Sequence, residues 1–241
     1  MFDCLFAAWQ EKEFYVFGFA NLNEFYISFY LDKIYIGGYM LKIQNLSKAF
    51  LKNSVLTQLS LDIQDGELIY IHGINGSGKS TLFKIICGIL DYDEGEMILE
   101  EHAHIGALIE NPGFLDNESL HYNLRFLASL QHHYDQQKIE ELCRQFHLDL
   151  HNRAKMKTYS LGMRQKAGII QAIMEDQNFI LLDEPTRGLD KEAIQTFCDI
   201  ITHLHNEGKT IVIAAHDYLK QLPFDHIYHL EHGALSLDET F

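Results

Sequence analysis

The chain has 241 residues, 47% of them hydrophobic and only three of them proline, which is enough apolar material for the core of one globular domain and too much for a disordered chain. Its formal charge of −15 is spread along the sequence rather than gathered in a tail. That balance argues against nucleic acid as the main partner, because a phosphate backbone is held by clustered Lys and Arg.

Residues 1–39 differ in character from the rest. They are crowded with Phe and Tyr, keep neither a helical nor a strand period, and lack the basic start and small-residue cleavage site of a signal peptide. Met40 stands directly before Leu41-Lys42-Ile43, which has the look of an opening strand. The expectation is therefore that translation begins at Met40 and that residues 1–39 are upstream DNA read as protein, the purine-rich codons of Ile36-Gly37-Gly38 serving as a ribosome-binding sequence. The competing expectation is an aromatic amphipathic segment that touches a membrane or a partner. Either way residues 40–241 remain acidic, so the charge argument holds.

From residue 41 onward, short β-rich runs alternate with helical ones, the order that builds a mostly parallel sheet covered by helices. Strands are predicted over 41–46, 55–63 and 67–72, then a helix over 79–90, and strands over 97–99 and 104–109 closed by Asn111-Pro112-Gly113. Between 118 and 147 apolar residues recur at three-to-four spacing (Leu120, Leu124, Leu127, Leu130, Ile139, Leu142, Phe146) with no strand signal, which suggests a helical subdomain of about 114–176 inserted in the sheet. A helix from Ser160, a strand over 179–182, a helix over 191–206 and a strand over 210–214 complete the pattern. The fold class is α/β with an inserted α-helical subdomain; the motifs that follow, and the family they resemble, imply in addition a P-loop NTPase core with a small N-terminal antiparallel β-subdomain.

Gly73 to Thr81 (GINGSGKST) fits G-x-x-x-x-G-K-[ST] between a predicted strand and a predicted helix. Gly73, Gly76 and Gly78 let the backbone approach closely, so that N–H groups of the loop, with Asn75 and Ser77 among its members, surround a phosphate at a helix N-terminus. Lys79 is expected on the β- and γ-phosphates, Ser80 on Mg²⁺ and Thr81 beside it. Phe179 to Asp190 (FILLDEPTRGLD) opens with four apolar residues, as a buried strand should, and places two carboxylates at the strand's C-terminal end. Asp183 is expected to hold Mg²⁺ and Glu184 to act as general base.

The phosphate loop, then YSLGMRQK (Tyr159 to Lys166), then DEPTRGLD, then IAAHD (Ile213 to Asp217), in that order, resembles the ABC-transporter ATP-binding family over residues 41–235. The resemblance implies two cassettes paired head to tail, a homodimer with ATP and Mg²⁺ as its cofactors, in which Ser160 and Gly162 of one subunit close on the nucleotide held by the other. It further implies His216 as the histidine that contacts the γ-phosphate, Phe50 as the aromatic that stacks on adenine, and Asp190 as a contact across the dimer. An integral membrane permease is the implied partner, which places the chain on the cytoplasmic face of the cell membrane; no run of about 18 uncharged apolar residues offers a span of its own.

Two departures narrow the resemblance. Glu110 replaces the family's usual glutamine and is a third candidate near the metal, and YSLGM replaces LSGGQ, with Leu161 in place of a glycine. Together they resemble the branch of bacitracin and lantibiotic export or self-immunity cassettes. The short span from Gly95 to His104 suggests a trimmed β-subdomain. A soluble ABC ATPase uncoupled from any membrane is the alternative, though this chain has one cassette and no heptad run. Cys4, Cys87, Cys143 and Cys198 lie far apart without CxxC spacing and are expected as reduced hydrophobes. His132-His133 and His203-x-His205 match no metal frame and are expected on solvated helix faces.

Overall fold

A computed structural model describes residues 38–51, 53–130 and 134–238. The segment expected as an upstream extension lies outside them except for Gly38 and Tyr39, and so do Cys4 and His132-His133. Tyr39 already belongs to the first strand, where it pairs with Gln64.

Strands β1 (Tyr39–Phe50), β2 (Asn53–Gln64) and β4 (Glu94–Leu99) form a three-stranded antiparallel sheet in the order β2-β1-β4. This is the expected small β-subdomain. The main sheet has the order β5-β6-β7-β3-β8-β9, built from β3 (Leu68–His72), β5 (Ile105–Leu108), β6 (Phe179–Asp183), β7 (Thr210–Ala215), β8 (His226–Glu231) and β9 (Ala234–Leu237). Its first five members run parallel, and β9 returns antiparallel to β8. The last two strands have no counterpart in the sequence reading. Their polar faces and the histidines of HIYHLE obscure the apolar signal, and only Leu230 is fully buried in them.

The central strands are apolar on both faces, and each face feeds its own core. Leu68 and Tyr70 of β3, Ile180 and Leu182 of β6, and Ile211 and Ile213 of β7 pack with the helical side. Ile69, Ile71, Phe179, Leu181, Val212 and Ala214, one step out of phase, pack with the antiparallel sheet and with α1 (Lys79–Ile86). The helical side contains α2 (Leu120–Leu130), α3 (Gln136–Gln145), α4 (Leu161–Ile173) and α5 (Lys191–Asn206). Helix α1 stops at Ile86, short of the predicted Leu90, because Cys87 caps it and Gly88 follows at φ 67°. Among the described residues no helix is long and apolar enough to cross a membrane.

Candidate functional site

The loop 73–78 joins the C-terminal end of β3 to the N-terminus of α1, which has Gly78 as its N-cap and no side chain capping it. The helix therefore keeps its first N–H groups for an anion. Gly78 has φ 111°, and a Cβ there would lie 2.8 Å from Leu56 Cδ2 and 3.1 Å from Val55 O, so any larger residue would push the loop off β2. Lys79 is only 6% exposed. Its ammonium donates back into the loop, to Gly73 O at 2.7 Å and Ile74 O at 3.3 Å, and stands 4.0 Å from Glu184 Oε1.

Helix α1 faces the end of β6, and the two elements meet where the Ser80 hydroxyl donates to Asp183 Oδ2 at 2.5 Å. Asp183 is 3% exposed. Burial raises its pKa above the ordinary carboxylate value, while the Ser80 hydroxyl, the Glu110 backbone N–H and Lys79 act in the opposite direction. Its second oxygen, Oδ1, is buried without a hydrogen-bond partner, and so are Glu184 Oε1 and Ser77 Oγ. Two orphaned carboxylate oxygens at the end of β6, with a third orphaned oxygen in the loop, are costly unless something arrives to use them. A hard cation with its phosphate fits that donor set: carboxylate and hydroxyl oxygens, with an ammonium alongside.

Glu184 is held in a left-handed conformation (φ 48°), which costs a non-glycine residue about 1 kcal/mol. Its N–H donates to Ala214 O at 2.7 Å, and its Oε2 accepts from the His216 N–H at 3.4 Å. The side chain of His216 is exposed and pairs with Asp217 Oδ1 at 3.5 Å. The end of β7 thus reaches the end of β6 through the backbone of His216 rather than through its imidazole.

A cavity of about 370 Å³ opens over this junction, lined by Phe50, Asn75, Gly76, Gly78, Lys79, Ser80, Thr81, Asp183 and Glu184 together with Val55. All but Val55 were anticipated. Gly73 and Ser77 complete the loop without lining the cavity. Phe50 is 44% exposed, with the Lys48 ammonium 5.7 Å from its ring centroid. A larger cavity of about 700 Å³ lies along α3 and residues 147–151, but it has no glycine loop and the N-terminus of α3 at its edge is already capped by Asp135, so the chemistry favours the smaller one.

Ser160, Gly162 and Glu110 lie outside the cavity. Ser160 caps α4 by accepting from the Met163 N–H at 3.2 Å, and Gly162 packs on Gly188. Asp190 caps α5, accepting from the Ala193 N–H at 2.8 Å. The Glu110 carboxylate accepts from Lys84 Nζ at 2.6 Å. Two residues at this site escaped the sequence reading. Lys84 is visible as a second cation in α1, one turn beyond Ser80 among apolar residues, and Gln165 as a glutamine on the buried face of α4. The histidines read as solvated are paired: His203 with Glu207 at 3.3 Å and His205 with Asp225 at 3.1 Å.

The ABC transporter family (ABC_tran) matches residues 56–187. The chain is 36% identical over 188 residues to the uncharacterized ABC transporter ATP-binding protein YdbJ of Bacillus subtilis, a match that covers 73% of this chain and 61% of YdbJ. It is 34% identical over 184 residues to the lantibiotic transport ATP-binding protein SrtF of Streptococcus pyogenes, covering 73% of this chain and 80% of SrtF. Among solved structures, the dimeric post-hydrolysis state of the ATP-binding cassette MJ0796, bound to ADP and Pi, superposes with a TM-score of 0.74 at 22% identity, covering 84% of this chain and 100% of that one. That likeness shows the fold, and the sequence matches show the kinship: the chain belongs to the ABC transporter family.

Proposed function

We propose that this chain binds and hydrolyses ATP as the motor subunit of an ABC transporter whose membrane-spanning part is a separate permease. The observation that carries the reading is the junction of Ser80 and Asp183 at 2.5 Å, beneath a cavity that opens beside an uncapped helix N-terminus and the buried, unpartnered oxygens of Asp183 and Glu184. In this reading the loop N–H groups and Lys79 grip the β- and γ-phosphates, turning the lysine away from Gly73 O. Ser80 and Asp183 hold Mg²⁺, which when bound neutralises charge on the phosphate oxygens. Glu184 takes the proton of the attacking water, His216 turns inward to the γ-phosphate, and Phe50 offers its exposed face to adenine. Glu110 joins the metal's surroundings only if it leaves Lys84.

The same reading assigns residues 40–241 to the ATP-binding domain, with 114–176 as its helical subdomain. A second copy brings Ser160 and Gly162 over the nucleotide, and the pair works on the cytoplasmic face of the membrane. For cargo we propose peptide antibiotics, by export or self-immunity, supported by Glu110, Leu161 and the likeness to SrtF.

Two substitutions separate the roles. Glu184→Gln should keep ATP binding, lower turnover by about 10²–10⁴-fold, and accumulate an ATP-bound dimer on size-exclusion chromatography. Lys79→Ala should weaken binding itself. Wild-type turnover by Glu184→Gln would remove Glu184 from the role of base.

A further inference from the structure

The first two turns of α4 hold the segment after β6 at three points. Gln165, buried, donates its side-chain amide to Glu184 O at 2.9 Å and to Pro185 O at 3.1 Å. Gly162 is pressed onto Gly188 so closely that a Cβ on it would meet Gly188 O at 2.5 Å. Leu161 also packs on Gly188: a Cβ at 188 would stand 3.0 Å from both Leu161 Cδ2 and Cγ. Leu161 is otherwise 50% exposed, so Gly188 is where this leucine packs. Gly188, at φ 75°, supplies both the backbone conformation and the space that this leucine needs.

We propose that Leu161 and Gly188 are a size-matched pair and that Leu161, with Gln165, is a positioning residue for Glu184. The bulk that Leu161 adds at the start of α4 is accommodated by the missing side chain at 188, so the helix start and the segment 184–188 move as one body. Glu184 needs such support. Its left-handed backbone persists only if its surroundings over-determine it: its N–H donates to the Ala214 carbonyl, and its own carbonyl accepts from the Gln165 amide at 2.9 Å and from the Arg187 N–H at 3.2 Å. Leu161 braces the far end of the same segment. Without the brace, residues 185–188 can swing and the Glu184 carboxylate loses its fixed direction. The kinetic part of this inference rests on Glu184 being the base; the contact itself does not.

The test is a four-cornered comparison in the full chain: wild type, Leu161→Ala, Gly188→Ala and the double variant, each read by ATP turnover and by hydrogen–deuterium exchange of the peptide covering 184–190. In the wild-type background Gly188→Ala must displace Leu161, and kcat is expected to fall about tenfold with KM within about twofold while exchange rises about tenfold. In the Leu161→Ala background the added methyl has room, and the same substitution should cost no more than about threefold. Leu161→Ala alone should raise exchange at 184–190. Equal losses in the two backgrounds would assign the effect to backbone strain at 188 and overturn the pair, and unchanged exchange in Leu161→Ala would overturn the positioning role. If wild type itself turned over no ATP, the proposed function would fall. The exchange data would still decide the pair, since non-additive changes uphold it and additive ones overturn it.

Discussion

Lys84 and Glu110 form an ion pair at 2.6 Å, the lysine reaching from α1 to the second residue after β5. Burial is the main reason that the Asp183 pKa is raised; the Glu110 charge adds a smaller push in the same direction, while the Glu110 backbone N–H acts against it. Without Lys84, the charge of Glu110 would stand unpaired beside a cavity that already holds the carboxylates of Asp183 and Glu184. The pair is partly exposed, so its direct stability contribution is only about 0.2–1 kcal/mol, and its consequence belongs in nucleotide affinity. Lys84→Met should weaken ATP binding about three- to tenfold, more at low salt than at high. Glu110→Gln in that background should restore it, because the charge left unpaired is removed. Titration with a fluorescent ATP analogue checks both. Equal affinities for the single and double variants would mean that Lys84 acts on the phosphates directly and not through Glu110.

Asp183 offers a second prediction, with stability and function opposed. Burial raises its pKa in the folded chain, so between the ordinary carboxylate value and the raised one the unfolded chain binds fewer protons. Stability is therefore lost as pH rises through that window, and at neutral pH the folded chain carries the cost of a buried charge. Asp183→Asn keeps an acceptor for Ser80 and removes the charge. It should raise Tm by roughly 2–4 °C at neutral pH, equivalent to about 1 kcal/mol for a domain of this size, and the gain should vanish in acid. MgATP should then raise the Tm of wild type and barely move the variant. A lower Tm for Asp183→Asn at neutral pH would show that Ser80 and Lys79 more than offset burial.

The site was more legible in the sequence than the sheet that carries it. Gly73 to Thr81 and Phe179 to Asp190 could be read because each motif couples an apolar strand to a chemically distinctive end, and the fold brings those ends together at Ser80 and Asp183. Strands β8 and β9 could not be read, since an edge pair wetted on one face has neither a continuous apolar run nor clean alternation. Lys84 and Gln165 were hidden for another reason. Their partners, Glu110 and the carbonyls of Glu184 and Pro185, come from other elements, and nothing within one helix shows such a pairing. Leu161 was visible as a departure, but its match to Gly188 depends on the turn after β6.

The thiols provide a test of the helical core. Burial raises the pKa of Cys143 to about 12 and that of Cys198 to about 11, and both side chains lie within the core of α3, α4 and α5. Cys87, at the end of α1, is likewise raised to about 11 but is only partly buried. Thiolate is the reactive form. Iodoacetamide at neutral pH should therefore label Cys87 slowly and leave Cys143 and Cys198 untouched, whereas all three label in denaturant; peptide mapping by mass spectrometry reads the difference. Labelling of Cys143 as fast as Cys87 in the native protein would mean that the α3–α4 contact opens readily.

Asp93 ties the loop after α1 to the end of β1 and through it to Phe50. One carboxylate oxygen accepts from Lys48 Nζ at 2.8 Å and the other from the Ala49 N–H at 2.7 Å, and these two bonds hold its pKa below the ordinary carboxylate value. The same Lys48 ammonium stands over the Phe50 ring at 5.7 Å. Asp93 therefore fixes the backbone one residue before Phe50, the aromatic proposed to stack on adenine, and the cation beside it. Asp93→Ala should raise the Kd for ATP about three- to tenfold with little change in kcat, since the adenine end contributes binding rather than chemistry. Because the folded pKa is depressed, the contribution of Asp93 to stability is complete above the ordinary carboxylate pKa and disappears as pH falls through the lower folded value. The Tm difference between wild type and Asp93→Ala should accordingly be constant from neutral pH down to mildly acidic pH and then close. A difference that persisted unchanged below the depressed pKa would assign the effect of the substitution to lost packing instead of to the carboxylate's two bonds.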